Sequence, residues 1–261
     1  MESERSARPY TAYLADLTHK NYIVASNVMP LGVGLVASHL LSAREDFDVE
    51  LFKYPDDLVQ RVSQRPPDIL GFTNYSWNLE LSYEIAKRVK AKFPKTVIVF
   101  GGPNYGLTDL EIEDFWGRYP DIDFYIVLEG EIAFARLCDR LVEEGMNVDR
   151  VKEVVEKLGN THFVKDGTIF QSPTLDRIQS LDDIPSPYTT GLMDKFFDNV
   201  LIPLTHTTRG CPFTCTFCSE GNKYYQKVAQ RETLEDELRY IAERRGTVPD
   251  LALSDANFGM F

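Results

Sequence analysis

Three cysteines fall within eight residues: Cys211-Pro212-Phe213-Thr214-Cys215-Thr216-Phe217-Cys218. Thiolates gathered on one short loop are metal ligands or redox groups before they are packing residues. Three of them can hold three irons of a 4Fe–4S cube and leave the fourth iron open, whereas most electron-transfer clusters close that corner with a fourth cysteine. Zinc would want four ligands. His206 could supply one, but it lies five residues before Cys211 on an expected strand. The fourth cysteine, Cys138, shares a helical stripe with Phe134 and Leu141, the pattern of a buried core thiol. His19, His39 and His162 read as structural or surface residues. No Ser/His/Asp arrangement, Walker-type phosphate loop or carboxylate pair stands out.

The elements that would position this loop come in two sets. Apolar runs at Tyr13–Leu17, Phe47–Phe52, Asp68–Thr73, Thr96–Phe100 and Asp123–Leu128 read as strands. Between them lie helical stretches: one from about Leu31, with Val33, Val36 and Leu40 on one face; one over Asp56–Gln64; one after Asn78, with Leu81, Ile85 and Val89 in a stripe ending before Pro94. Short continuous apolar strands spaced by amphipathic helices predict a doubly wound parallel sheet covered on both faces. Such sheets bind ligands beyond the carboxyl ends of their strands. Gly101-Gly102-Pro103 and Glu129-Gly130-Glu131 fall there, where glycine lets backbone approach a ligand.

After residue 145 the pattern changes. Asp166-Gly167 inside Thr161–Gln171 predicts a type I′ hairpin, and Leu181–Tyr188 (LDDIPSPY) an extended connector. Leu201–Thr207 reads as a strand leading into the cysteine loop. A helix follows near Thr233, with Asp236 completing a capping box and Leu234, Leu238 and Ile241 as its apolar stripe; Gly246 ends it. Leu251–Ser254 is another strand, with Asp255 and Asn257 at its end. The expected organisation is an α/β domain over residues 1–145, a connector with a hairpin over 146–200, and the opening of a second α/β unit over 201–261. One strand–helix–strand unit cannot close a barrel, so the chain reads as the N-terminal portion of a longer protein.

Cysteine spacing of three and then two residues, an aromatic residue before the last cysteine, and the words Thr208-Arg209-Gly210-Cys211-Pro212-Phe213 resemble the signature of the radical S-adenosylmethionine superfamily. The preceding sheet resembles the cobalamin-binding domain of one large branch, through Pro30-Leu31-Gly32, Gly101-Gly102-Pro103, Glu129-Gly130-Glu131 and the LDDIPSPY connector. The fold implied is α/β: a flavodoxin- or Rossmann-like cobalamin-binding sheet, then the first part of a radical S-adenosylmethionine (βα) partial barrel. Cys211, Cys215 and Cys218 would hold the 4Fe–4S cluster. Phe217 would lie against the adenine of S-adenosylmethionine, and Glu220, Asp255 and Asn257 would face its pocket. Thr73, Asn74, Tyr75 and Ser76 would neighbour the lower face of cobalamin, although Asn74 and Ser76 would equally serve as helix caps. One departure is notable: Asp16-Leu17-Thr18-His19 does not keep the Asp-x-His-x-x-Gly pattern, so no histidine ligand on cobalt is expected.

The implied activity is reductive cleavage of S-adenosylmethionine to a 5′-deoxyadenosyl radical, with methyl transfer to an unactivated carbon or phosphorus as the commonest outcome. An electron donor such as flavodoxin or ferredoxin is implied, with a small-molecule or biosynthetic substrate. A methylthiotransferase is a weaker alternative, because that group bears three further cysteines in its N-terminal domain. A non-catalytic cobalamin-binding or scaffold module with an incomplete barrel is the other. A net charge of −12 argues against a nucleic-acid partner. The polar stretch Met1–Tyr10 lacks an apolar signal segment, no run is long enough for a membrane span, and a reducing cytoplasm is the expected setting.

Overall fold

The computed structural model describes residues 9–20, 26–106 and 108–260; most of the polar stretch Met1–Tyr10 lies outside them. The chain divides into two compact units, one of residues 1–26 and 39–175, the other of 27–38 and 176–261.

The first unit is built on strands β1 (Tyr10–Ala15), β2 (Phe47–Phe52), β3 (Ile69–Thr73), β4 (Val97–Gly101) and β5 (Phe124–Ile126). They pair parallel in the order β2-β1-β3-β4-β5, a doubly wound sheet as the alternating pattern predicts, and of the two orders the resemblance left open it is the flavodoxin-like one. Neighbouring residues on single strands, such as Ile69 and Leu70 or Val97 and Ile98, are fully buried, as a sheet covered on both faces requires. The edge strand β2 carries Asp48 and Glu50, tied to Arg65 and Arg61; charge on an edge discourages pairing with another chain.

The crossovers are α1 (Leu31–Ala43), α2 (Pro55–Gln64), α3 (Leu79–Lys92), α4 (Asp109–Arg118) and α5 (Glu131–Glu143). Proline opens α2 at the position where a missing N–H costs nothing. A Thr108–Glu111 capping box opens α4, a helix not singled out from the sequence although Ile112, Phe115 and Trp116 share its buried face. On α5, Cys138 is fully buried and burial pushes its thiol well up, confirming it as a core residue.

A short α6 (Val148–Val151) leads to β6 (Thr161–Lys165) and β7 (Thr168–Gln171). Asp166 and Gly167 have φ of 49° and 75°, as a type I′ turn demands. This hairpin is no free connector. β6 joins the sheet antiparallel to β5 and β7 pairs antiparallel to β6 at the edge, and Phe163 is buried there with its ring edge-on to Phe124. The first unit therefore runs to residue 175, thirty residues past the expected 145.

The second unit contains β8 (Leu204–Thr205), β9 (Thr208–Arg209), β10 (Ala229–Gln230), α7 (Glu235–Arg244) and β11 (Ala252–Leu253). β8 and β11 pair parallel across α7, while β9 and β10 pair antiparallel. The expected strand Leu201–Thr207 is thus shorter and interrupted. Residues Asn27 and Met29 exchange backbone hydrogen bonds with Ile202, which ties the Pro30-Leu31-Gly32 entry to this unit. The LDDIPSPY segment is integral to it as well. Leu181, Ile184 and Tyr188 are buried, and the Tyr188 hydroxyl donates to Leu204 O at 2.8 Å. Thr233 does not cap α7: its hydroxyl donates to Asp182, and Leu234 takes the cap position without a side-chain bond.

Candidate cobalamin edge and cysteine loop

At the carboxyl edge of the first unit's sheet, three adjacent strand ends supply a buried polar network. Asp16 follows β1 and accepts from Lys53 Nζ at 2.9 Å and from Thr73 Oγ1 at 2.8 Å. Asn78 Nδ2 donates to Thr73 Oγ1 at 3.0 Å, and its Oδ1 accepts from Tyr75 N at 2.9 Å. Asn78 therefore braces the β3–α3 loop from inside instead of capping the helix. Burial and the Asp16 carboxylate push the Tyr75 phenol up to about 12, so it stays protonated. Its ring stacks on that of Trp77 at 4.5 Å, and Trp77 is 44% exposed. This leaves a flat aromatic surface at the edge where such sheets bind ligands.

A second network supports the β4 end. Asn74 is fully buried. Its amide donates to Asn104 O and to Tyr125 Oη, and its Oδ1 accepts from Asn104 Nδ2 at 3.0 Å. Tyr125 Oη in turn donates to Gly102 O at 2.8 Å. Gly102 has φ of 129°, and a Cβ there would stand 2.7 Å from Asn74 O. That position accepts only glycine. Behind it the Tyr105 ring stacks on Tyr125 at 4.0 Å, with Tyr105 Oη 3.2 Å from His162 Nδ1.

Among the expected cobalamin neighbours, Thr73, Asn74, Tyr75, Gly101 and Gly102 share these two networks, while Ser76 and Pro103 are exposed beside them. Asn74 is no helix cap. Glu129 and Glu131 are buried, and Gly130 has an ordinary φ of −91° at the start of α5, so that glycine is not used for a left-handed turn. Pro30 is buried and Gly32 exposed, both in the second unit. The sequence reading assigns no role to Lys53, Asn104 or Tyr125, and it marks Asp16 only as the start of a broken histidine pattern. Their signal was position, since Asp16 and Lys53 directly follow strands.

The cysteine loop is an excursion closed by β9 and β10. Cys211 N donates to Tyr225 O at 2.8 Å. Arg177 fastens both sides of the base, with Nη1 2.8 Å from Lys227 O and Nη2 3.2 Å from Arg209 O. Gly210, at φ of 112°, fits under them; a Cβ would meet Arg177 Nη1 and Tyr225 O, each at 2.7 Å. Asp255, at the end of β11, accepts the N–H and hydroxyl of both Thr207 and Thr208. Burial opposes its ionisation, but those donors outweigh burial and hold the carboxyl below its ordinary range. Asp255 therefore fixes the run into the loop. The Asn257 amide donates to Cys211 Sγ at 3.1 Å.

Cys211 is half-buried, Cys215 and Cys218 are exposed, and all are free thiols. Phe217 is 91% exposed and Glu220 half-buried just beyond. Among the described residues no three His, Cys, Asp or Glu side chains converge on one metal ion. A cube seats each thiolate on a different iron, so its ligands need not converge on a point. The donor set fits that group: three soft thiols on one loop, the first bearing an amide donor. Backbone fits closely as well, because a Cβ on Gly221 would collide with Cys215 O at 2.2 Å.

The flavodoxin-order sheet with its aromatic edge defines a cobalamin-type α/β domain, and the chain also carries a pinned loop of three free cysteines. The model of the B12 binding domain matches residues 23–138. The chain is 30% identical over 272 residues to the cobalamin-dependent radical SAM methyltransferase TokK of Streptomyces tokunonensis, covering 96% of this chain and 37% of that protein. It is 29% identical to the 2-(S-pantetheinyl)-carbapenam-3-carboxylate methyltransferase of Streptantibioticus cattleyicolor, covering 92% and 36%. It superposes on the cobalamin-dependent S-adenosylmethionine radical enzyme OxsB, solved with aqua-cobalamin and S-adenosylmethionine, with a TM-score of 0.70 and 18% identity over 97% of this chain and 34% of that one; this likeness shows the fold. Residues 23–138 thus form a B12 binding domain, in a chain similar over almost its whole length to cobalamin-dependent radical SAM methyltransferases. It spans little more than a third of the length of those relatives. No helix among the described residues is long and apolar enough to cross a membrane.

Proposed function

We propose that this chain forms the cobalamin-holding and cluster-holding part of a radical S-adenosylmethionine methyltransferase acting on an unactivated carbon or phosphorus. The observation that carries the reading is the cysteine loop itself: three free thiols on a loop whose base is locked by Gly210, Arg177 and Asp255, in a chain with a B12-binding domain. Cys211, Cys215 and Cys218 would hold the cluster, which when bound supplies an electron for cleaving S-adenosylmethionine. Phe217, exposed beside the last thiol, and half-buried Glu220 would touch that molecule. At the sheet edge, the Tyr75–Trp77 surface and the open Gly101-Gly102-Pro103 turn would meet the corrin. Asp16, Lys53, Asn74 and Asn78 would hold that edge rigid.

Cobalt would take no histidine from this chain at the Asp16–His19 loop: Thr18 stands where the ligand would be, and His19 Nε2 lies 3.1 Å from Trp77 O. Reducing equivalents would come from an acidic electron carrier such as flavodoxin or ferredoxin. A reducing cytoplasm is the proposed setting, which keeps exposed Cys215 and Cys218 as thiols.

The test is anaerobic reconstitution of the chain with iron and sulfide. About four irons per chain with broad visible absorption are expected, lost together in Cys211→Ala, Cys215→Ala and Cys218→Ala. Uptake of zinc in place of iron would reject the reading. A difference spectrum with hydroxocobalamin tests the sheet edge separately.

A further inference from the structure

We infer that Asn257 is a positioning residue that sets the reduction potential of the cluster through its hydrogen bond to Cys211; this rests on the function proposed above. The amide of Asn257 donates to Cys211 Sγ at 3.1 Å, across forty-six residues of sequence. Neither partner is loosely held. Cys211 is anchored through its own N–H to Tyr225 O. The turn carrying Asn257 starts from Asp255, whose carboxylate grips Thr207 and Thr208 with four hydrogen bonds. The same clamp thus fixes the strand entering the loop and the turn that brings the amide to the thiol. Cys211 is the half-buried member of the trio, while Cys215 and Cys218 are open to water. Water can donate to the exposed sulfurs; the amide is the protein's own donor at the sheltered one.

The consequence is electrostatic. Adding an electron to a cluster raises the negative charge on its sulfur ligands. A fixed N–H dipole aimed at one of those sulfurs stabilises the reduced state more than the oxidised one, so the potential rises. A carboxylate in the same place has no donor at neutral pH and repels the added charge. Asn257 thereby makes the cluster easier to reduce.

The experiment compares the anaerobically reconstituted chain with Asn257→Leu, Asn257→Asp and Asn257→Gln, reading iron content and the midpoint potential in a dithionite-poised titration. Full iron content is expected throughout, with the potential falling from Asn to Leu and further to Asp, and Gln closest to the wild type. Coinciding potentials at full iron content would overturn the inference while leaving the cluster reading intact. A wild-type chain that takes up no iron would overturn both. Should Asn257→Leu lose iron, the inference then requires Asn257→Gln to keep it, and equal loss in both would count against a donor role.

Discussion

Lys53 and Asp16 form an ion pair at 2.9 Å, with side chains 0% and 11% exposed, at the strand ends where the sheet meets its ligand edge. Burying an ammonium is costly without a partner, and Asp16 also holds Thr73, so the pair links β1, β2 and β3. Lys53→Met strands a carboxylate in the interior and is expected to cost about 3–5 kcal/mol in urea unfolding. Adding Asp16→Asn to Lys53→Met should recover part of that loss, because the uncompensated charge is gone. A double variant no more stable than Lys53→Met would show that packing, not charge, governs this edge.

Gly102→Ala is expected to injure the edge locally. Its φ of 129° and the 2.7 Å approach to Asn74 O leave no room for a methyl group. Backbone strain of this kind costs about 1–3 kcal/mol, and relief would come by moving Asn74 and with it the Asn104 and Tyr125 bonds. Hydroxocobalamin affinity should fall with little change in iron uptake. Gly117→Ala, on the exposed face of α4 where a Cβ meets nothing within 4 Å, is the control and should bind as the parent does.

How much of this could be read beforehand depends on whether the signal was local. The cysteine loop, the five parallel strands and the Asp166-Gly167 turn rest on spacing and short apolar runs, and each appears where the residues put it; the order of the strands does not follow from such local signals. The side chains beside them were harder to assign. Asn78 and Thr233 both precede helices and have cap chemistry, yet other partners take their hydrogen bonds: Tyr75 and Thr73 of the preceding loop for one, and the distant Asp182 for the other. Helix α4 carries both a Thr108–Glu111 box and an Ile112, Phe115, Trp116 stripe, yet it escapes notice because it is short and lies between a glycine-rich loop and a strand. The hairpin's attachment to β5 is a long-range pairing that no local pattern encodes. Arg177 carries no motif at all, and its role exists only once residues 209 and 227 come together.

Stability should fall on mild acidification because of His162. Burial holds its imidazole down to about 4, against 6.5 for an exposed histidine. The folded chain thus binds fewer protons than the unfolded chain between those values, and stability rises with pH there. The contribution is fully present above about 6.5 and is lost as the pH falls towards 4, amounting to roughly 3 kcal/mol at most. His162→Gln should flatten this part of the profile in urea unfolding measured from pH 7.5 to pH 5. An unchanged slope would assign the acid sensitivity to the carboxylates.

Arg177 offers the sharpest separation between the two halves of the proposed function. One planar guanidinium reaches Lys227 O and Arg209 O while lying over the rings of Tyr224 and Tyr225 at 5.4 and 5.5 Å. A lysine there has one compact ammonium and cannot span two carbonyls in that plane. Each charged hydrogen bond lost costs about 1.5–3 kcal/mol, and all of it falls on the base of the cysteine loop. Arg177→Lys should therefore lower iron content per chain several-fold and open residues 211–228 to limited proteolysis. The hydroxocobalamin difference spectrum, which reports on the sheet edge, should stay as it was. Loss of both signals together would mean that the loop base and the sheet fold as one cooperative body, and the separate roles assigned to them would fail.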